Sequence, residues 1–154
     1  MTQTNSQIVI SKMCEDDVAG VAQLERACFT EPWSENAFRD SLLNPDIVYI
    51  VAKDGTKIVG NAGLRHIVGE GEITNVAVDS SYRNRGIACE IMKALLKEGE
   101  KMGAESFTLE VRAGNVSAIS LYQKLGFKTE GIRKNFYEKP TEDGLIMWLR
   151  PKQF

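Results

Sequence analysis

The stretch that most restricts the fold runs from Ile73 to Gly103. An apolar, strand-like run, Ile73 to Val78, leads into a basic turn, Tyr82-Arg83-Asn84-Arg85-Gly86-Ile87-Ala88-Cys89. An amphipathic helix is expected over Arg85 to Met102. Ile87, Ile91 and Leu95 form one stripe of it, with Ala88, Met92 and Leu96 beside them, while Glu90, Lys93, Lys97, Glu98 and Lys101 face away. Gly103 is placed to stop this helix in the left-handed conformation. The turn can also hold an anion. The first N–H groups of a helix lack partners within it, the helix dipole favours negative charge there, and Arg83 and Arg85 add permanent charge with fork geometry. On these residues alone, a phosphate or pyrophosphate cradle and a basic surface turn are equally good readings.

The rest of the chain supplies strands and helices around that unit. Ile8-Val9-Ile10 reads as a short strand. A helix is expected from Cys14 to Cys28, with Glu15, Asp16 and Asp17 at its start and Val18, Val21, Ala22, Leu24 and Ala27 at helical spacing. Phe29 to Ser34 is a break, since Pro32 does not easily continue a helix. Ser34 is the N-cap of a second helix, Glu35 to Leu43, which ends before Asn44-Pro45. Ile47 to Ala52 is β-branched, Asp54-Gly55 is a hairpin signal, and Lys57 to Ile67 is the returning strand. After the turn Gly69-Glu70-Gly71, the strand Glu72 to Val78 completes an antiparallel meander. Ser106 to Arg112 alternates cleanly, with Phe107, Leu109 and Val111 on one face and Thr108, Glu110 and Arg112 on the other. Asn115 caps a short helix, Val116 to Leu125, that stops at Gly126, and Phe127 to Tyr137 and Gly144 to Leu149 are the final strands. The strand–helix–strand units of the second half should pair in parallel. The fold class is therefore α/β or α+β, a mixed sheet with helices on its faces, formed by residues 1 to 154 as a single domain.

Charge and cysteine usage exclude several classes. Nineteen basic against 21 acidic residues leave a formal charge of -2, which argues against direct nucleic-acid binding and suits a basic peptide better. Cys14, Cys28 and Cys89 are three widely spaced cysteines without a C-x-x-C, so neither a metal site nor a disulfide framework is expected. No signal-peptide h-region and no run of membrane-spanning length is present, so a cytoplasmic protein without membrane contact is expected. A monomer or weak dimer is the expected state.

Two blocks together resemble the GNAT N-acetyltransferases. Arg83-Asn84-Arg85-Gly86-Ile87-Ala88 is similar to that family's R/Q-x-x-G-x-G/A turn, which wraps the pyrophosphate of acetyl-coenzyme A. Asn115-Val116-Ser117-Ala118-Ile119-Ser120-Leu121-Tyr122-Gln123-Lys124-Leu125-Gly126-Phe127 resembles its N-x-x-A-x-x-L-Y-x-x-x-G-F block. The likeness covers nearly the whole chain. Within the family, Leu109-Glu110-Val111-Arg112, Pro32-Trp33-Ser34 and Ile132-Arg133-Lys134-Asn135-Phe136-Tyr137 are similar to the bacterial ribosomal-protein alanine N-acetyltransferases. Those enzymes acetylate the N-terminal alanine of one small-subunit ribosomal protein. Two positions depart: Ala88, where glycine is common but alanine fits the pattern, and Cys89, where a basic residue is frequent.

The resemblance implies a mixed, mostly antiparallel central sheet of six to seven strands flanked by about four helices. It implies acetyl-coenzyme A as donor, no metal, and a protein N-terminus as acceptor. Backbone groups of Val76, Ala77 and Val78 would line the pantetheine arm, with one N–H near Val78 polarising the thioester carbonyl. The segment Arg83, Asn84, Arg85, Gly86, Ile87, Ala88 and Cys89 would hold the pyrophosphate through main-chain N–H groups. Asn115 would reach the cofactor arm, or serve only as an N-cap. Glu110 would be the general base in a ternary complex. An outward glutamate is ordinary on an open sheet, but under helices it needs a pocket or a partner, and the element order predicts such cover. Direct transfer from an α-amine near 8 to a glutamate near 4.3 is uphill by about 5 kcal/mol, and a lysine amine costs about 3 kcal/mol more. Tyr122 would be the general acid toward the leaving sulfur, or a core aromatic. With a tyrosine near 10 and a thiol near 8.5, that transfer is uphill by about 2 kcal/mol. Trp33, Arg133, Asn135 and Tyr137 would shape the peptide groove; packing for Trp33 and a surface position for Arg133 are the alternatives. His66 reads as an edge or surface residue, and no cysteine has a base partner nearby in sequence. The competing functions are a polyamine or antibiotic N-acetyltransferase and a non-catalytic acyl-coenzyme A sensor.

Overall fold

The computed structural model describes residues 7–151, and of Asn75 the main chain only. Seven strands form one sheet: β1 (Ile8–Lys12), β2 (Ile47–Asp54), β3 (Lys57–Ile67), β4 (Glu70–Val78), β5 (Ser106–Arg112), β6 (Lys128–Tyr137) and β7 (Glu142–Leu149). Their spatial order is β1-β2-β3-β4-β5-β7-β6. Among the described residues four α-helices accompany them: α1 (Val18–Cys28), α2 (Glu35–Ser41), α3 (Ile87–Met102) and α4 (Val116–Lys124). No helix among the described residues is long and apolar enough to cross a membrane.

The meander β1 to β4 is antiparallel throughout, and β4 and β5 pair in parallel across α3, as the sequence predicts. The second strand–helix–strand unit departs from expectation. β5 and β6 do not pair, because β7 lies between them, antiparallel to both. The reason is burial. β6 is exposed along most of its length, whereas β7 sets Leu145, Met147 and Leu149 opposite Val111, Leu109 and Phe107. The strand with the apolar face takes the interior position, and the polar one takes the edge.

Local chemistry moves several element boundaries. The first helix begins at Val18 rather than Cys14, after a one-turn 3-10 helix at Glu15–Asp17. There the Asp17 carboxylate accepts from the Cys14 N–H at 2.9 Å and meets Lys53 Nζ at 2.8 Å. α2 stops at Ser41 and not Leu43. α3 starts at Ile87, two residues late, because Asn84 (φ 63) and Gly86 (φ 78) are left-handed.

Two cores hold the layers. On one face Ile87, Ile91, Met92 and Leu95 of α3 join Phe107, Leu109, Val111, Tyr122, Phe127 and Met147. On the other, Val18, Val21, Ala22 and Leu24 of α1 and Phe38 of α2 close on Tyr49, Val51, Ile58 and Ala77. The main contacts of α1 with the sheet are to β3 and β4.

Two irregularities open the sheet at its centre. Gly63 of β3 faces both Thr74 and Asn75 of β4, a bulge bracketed by the pairs Ala62↔Val76 and Leu64↔Ile73. Any side chain at Gly63 would collide with Tyr49 and Thr74, since a Cβ there would lie 2.6 Å from Thr74 Oγ1. The parallel ladder between β4 and β5 then ends after Glu70↔Ser106, Gly71↔Phe107 and Glu72↔Thr108. Beyond those pairs β4 continues to Val78 and β5 to Arg112 without pairing, so the strands part like a V.

Candidate active site

The V encloses a cleft of about 840 Å³. Its β4 wall contributes Glu72, Ile73, Thr74 and Val76, and its β5 wall contributes Thr108 to Arg112. The end of α1, the start of α4 and the β6–β7 connection complete it. Because β4 has left β5, the polar main-chain groups on that edge of β4 have no strand partner, and an extended polar chain can take the vacant place. Of the three β4 residues expected to hold the donor, Val76 lines the cleft. Ala77 turns its side chain into the core beneath α1, and the Val78 carbonyl accepts from the Cys28 thiol at 3.8 Å. Burial pushes the Cys28 thiol up, partly offset by Arg83, so it stays a protonated donor. Cys28 was absent from the sequence-derived site. It reaches the cleft only because α1 ends over the β4 edge, a tertiary fact with no signature in spacing.

The basic turn sits at the open end of the V, directly after β4. Asp79 caps the 3-10 turn Ser80–Tyr82 by accepting from Ser81 N–H at 2.8 Å, and the left-handed Asn84 and Gly86 then aim the chain into α3. Within the helix, Glu90 N–H bonds the Gly86 carbonyl at 3.1 Å. The N–H groups of Ile87, Ala88 and Cys89 belong to the first turn of α3, where a helix offers its donors outward. This fits an anion held by main chain, with Arg83 exposed beside it.

Glu110 stands on the β5 wall. Contrary to the cover expected from element order, the main contacts of α1 with the sheet stay on β3 and β4, and the Glu110 side chain is 29% exposed. Its partner is instead Arg133 of β6, whose Nε lies 3.3 Å from Oε1, and the Arg133 guanidinium rests 5.3 Å from the Phe136 ring. Tyr122 of α4 is both core and site. It packs 6.0 Å from Phe127, is 6% exposed, and still lines the cleft. Burial pushes its hydroxyl up to about 12. Asn115 also serves twice, capping α4 through Ala118 N–H at 3.3 Å while lining the cleft.

The expected groove residues divide. Tyr137 lines the cleft, and burial followed by the nearby Glu110 charge pushes its hydroxyl up. Trp33 lies outside the lining, 5.8 Å from Phe38 and 6.3 Å from Tyr49, as a packing residue. Asn135 is left-handed at φ 52, and its backbone N–H bonds Asp143 at 2.9 Å. Sequence reasoning passed over Arg112. It donates to the Pro140 and Glu138 carbonyls at 3.0 and 3.1 Å, stacks 4.4 Å from the Tyr137 ring and pairs with Glu142 at 3.4 Å. It thereby ties the β6–β7 connection to the cleft. His66 accepts from Gly69 N–H at 3.1 Å and serves the β3–β4 turn. Among the described residues no group of three His, Cys, Asp or Glu side chains could hold a metal ion.

Comparison with known proteins places this geometry. The model of the acetyltransferase (GNAT) family matches residues 18–127. The [ribosomal protein bS18]-alanine N-acetyltransferase of Escherichia coli (strain K12) is 33% identical over 135 residues, spanning 88% of this chain and 89% of that protein. The crystal structure of the ribosomal-protein-S18-alanine N-acetyltransferase from Escherichia coli superimposes with a TM-score of 0.84 at 30% identity, covering 96% of each chain. The structure of an acetyltransferase from Salmonella typhimurium with its cofactor acetyl-CoA shares the fold, with a TM-score of 0.83 at 15% identity over 97% of this chain and 96% of that one.

Proposed function

The chain belongs to the acetyltransferase (GNAT) family and is an acetyl-coenzyme A-dependent N-acetyltransferase, and from that premise we propose that its acceptor is a protein N-terminal α-amine, the N-terminal alanine of ribosomal protein bS18. The observation that carries this reading is the V between β4 and β5, with Glu110 and Tyr122 in one cleft. The near full-length likeness to a protein named for that acceptor supports the substrate. The charge of the cleft also suits it: four glutamates, Glu31, Glu72, Glu110 and Glu138, line it against two basic residues, Lys139 and Arg112, and Arg112 is engaged by Glu142. An α-ammonium followed by basic side chains complements such a wall.

The roles come from position. The free edge of β4 at Val76 to Val78 takes the donor's amide-bearing arm as an added strand, and an N–H of that edge polarises the thioester carbonyl. The N–H groups from Asn84 to Cys89 take the pyrophosphate, with Arg83 and Arg85 reinforcing the grip, and Asn115 stands beside the arm. Glu110 accepts the proton of the acceptor ammonium, and Arg133 yields its place on that carboxylate as the cation arrives. An α-amine near 8 surrenders that proton for about 3 kcal/mol less than a lysine amine near 10.4, which favours an N-terminus at neutral pH. Tyr122 faces the leaving sulfur. With its hydroxyl at about 12 and a thiol near 8.5, full proton transfer is uphill by about 5 kcal/mol, so Tyr122 acts by donating a hydrogen bond as charge develops. Tyr137 and Arg133 flank the acceptor.

The deciding experiment is a competition for acetyl groups. A peptide beginning with alanine and continuing with basic residues should outcompete free lysine and spermidine at pH 7. A win for the polyamine would remove the protein N-terminus as substrate.

A further inference from the structure

The turn at the mouth of the cleft is braced from outside by Tyr82. Its hydroxyl donates to Asp54 Oδ2 at 2.6 Å. Asp54 is the last residue of β2, so the contact ties the turn to the β2–β3 hairpin. The Arg85 guanidinium lies 4.8 Å from the centre of the Tyr82 ring, and Lys57 Nζ lies 5.3 Å from it. Arg85 also donates to the Ser81 carbonyl at 3.2 Å, and Lys57 meets Asp79 at 3.6 Å. The body of the ring packs against the core below α3. Just beyond it comes Asn84, a residue with a side chain held at φ 63. That conformation is costly unless its surroundings impose it.

We propose that Tyr82, locked by Asp54, is a positioning residue for donor binding: it holds Arg85 and the left-handed Asn84–Gly86 segment so that the N–H groups opening α3 are set before the pyrophosphate arrives. Neither Tyr82 nor Asp54 needs to touch the donor. Their contribution is to remove the cost of ordering the turn at the moment of binding. This rests on the reading that the turn takes the pyrophosphate.

The test compares two donors, acetyl-coenzyme A and acetyl-pantetheine, which lacks the pyrophosphate. Tyr82→Phe and Asp54→Ala should each raise the KM for acetyl-coenzyme A about tenfold, the scale of one charge-assisted hydrogen bond. They should leave kcat at saturation and the KM for acetyl-pantetheine unchanged. Asp54→Asn keeps an acceptor oxygen and should recover most of the loss, and the double variant should be no worse than the weaker single one. An unchanged KM for acetyl-coenzyme A in Tyr82→Phe would overturn the proposal. So would an equal loss for both donors, which marks general loosening. Tyr82→Phe removes one oxygen and keeps the ring, so it decides the matter even if Asp54→Ala does not fold. If the native protein shows no preference for acetyl-coenzyme A over acetyl-pantetheine, the pyrophosphate reading itself fails. If that preference exists and survives in the variants, only the brace fails.

Discussion

The two halves of the proposed site are built from different materials. The part proposed to hold the donor, from Val76 through Cys89, relies on main chain: a strand edge freed by the V, two left-handed residues and the first turn of a helix. Its side chains mostly brace. The part proposed to meet the acceptor, from Thr108 to Arg112 and across to Tyr137, relies on side chains: Glu110 against Arg133, Arg112 against Glu142, and Tyr122 reaching from the core. A main-chain site tolerates substitution wherever the backbone path survives. A side-chain site changes function with each replacement. One half can therefore keep one donor while the other is respecified, and the difference can be broken by experiment.

The largest effect is expected at Glu110. Glu110→Gln keeps the shape of the wall and should lower kcat by about 10²–10⁴-fold, with acetyl-coenzyme A binding unchanged in a thermal-shift titration. If donor binding falls with kcat, the halves are not separable. Tyr122→Phe comes next, with kcat lower by about 10- to 100-fold. Burial raises the Tyr122 hydroxyl to about 12, so its neutral donor form persists through the working range. The kcat profile of the native protein should accordingly rise as the acceptor amine deprotonates and show no alkaline fall up to about pH 10. A fall near 9 would mean that another group is the donor.

Gly86→Val tests the donor half through backbone alone. No atom lies within 4 Å of the position a Cβ would take, yet φ is +78. The left-handed cost of about 1–2 kcal/mol should appear as roughly a tenfold rise in the KM for acetyl-coenzyme A, with the acceptor KM unmoved.

The smallest effect serves as a control outside both halves. Burial raises the Asp17 carboxyl, but bonds from Lys53 and Cys14 outweigh it and hold the group below its ordinary 3.8. Its stabilisation is therefore present above 3.8 and lost as pH falls through the lower folded value. Asp17→Asn should lower Tm by several degrees at pH 7, and the gap should close in acid, while both Michaelis constants stay put.

The contrast also explains what could be read in advance. Arg83 to Cys89 and Asn115 to Phe127 were legible because main-chain geometry forces residue types locally: glycine where φ is positive and an asparagine cap where a helix starts. The place of β7 between β5 and β6 was not legible, since it depends on which of two distant strands has the better apolar face. The open wall around Glu110 was missed for a related reason. Element order shows that helices lie on the sheet but not how far along it α1 extends. Cys28 and Arg112 reach the cleft only through packing, so nothing in their neighbours' spacing marks them.

The short ladder between β4 and β5 has a consequence beyond catalysis. Three residue pairs join the strands before they part. Beyond those pairs two strand edges run without a strand partner, the kind of surface on which chains recruit one another into aggregates. An acyl donor lying in the slit would cover both edges. The cell's supply of that small molecule would then act toward this protein as a chaperone does.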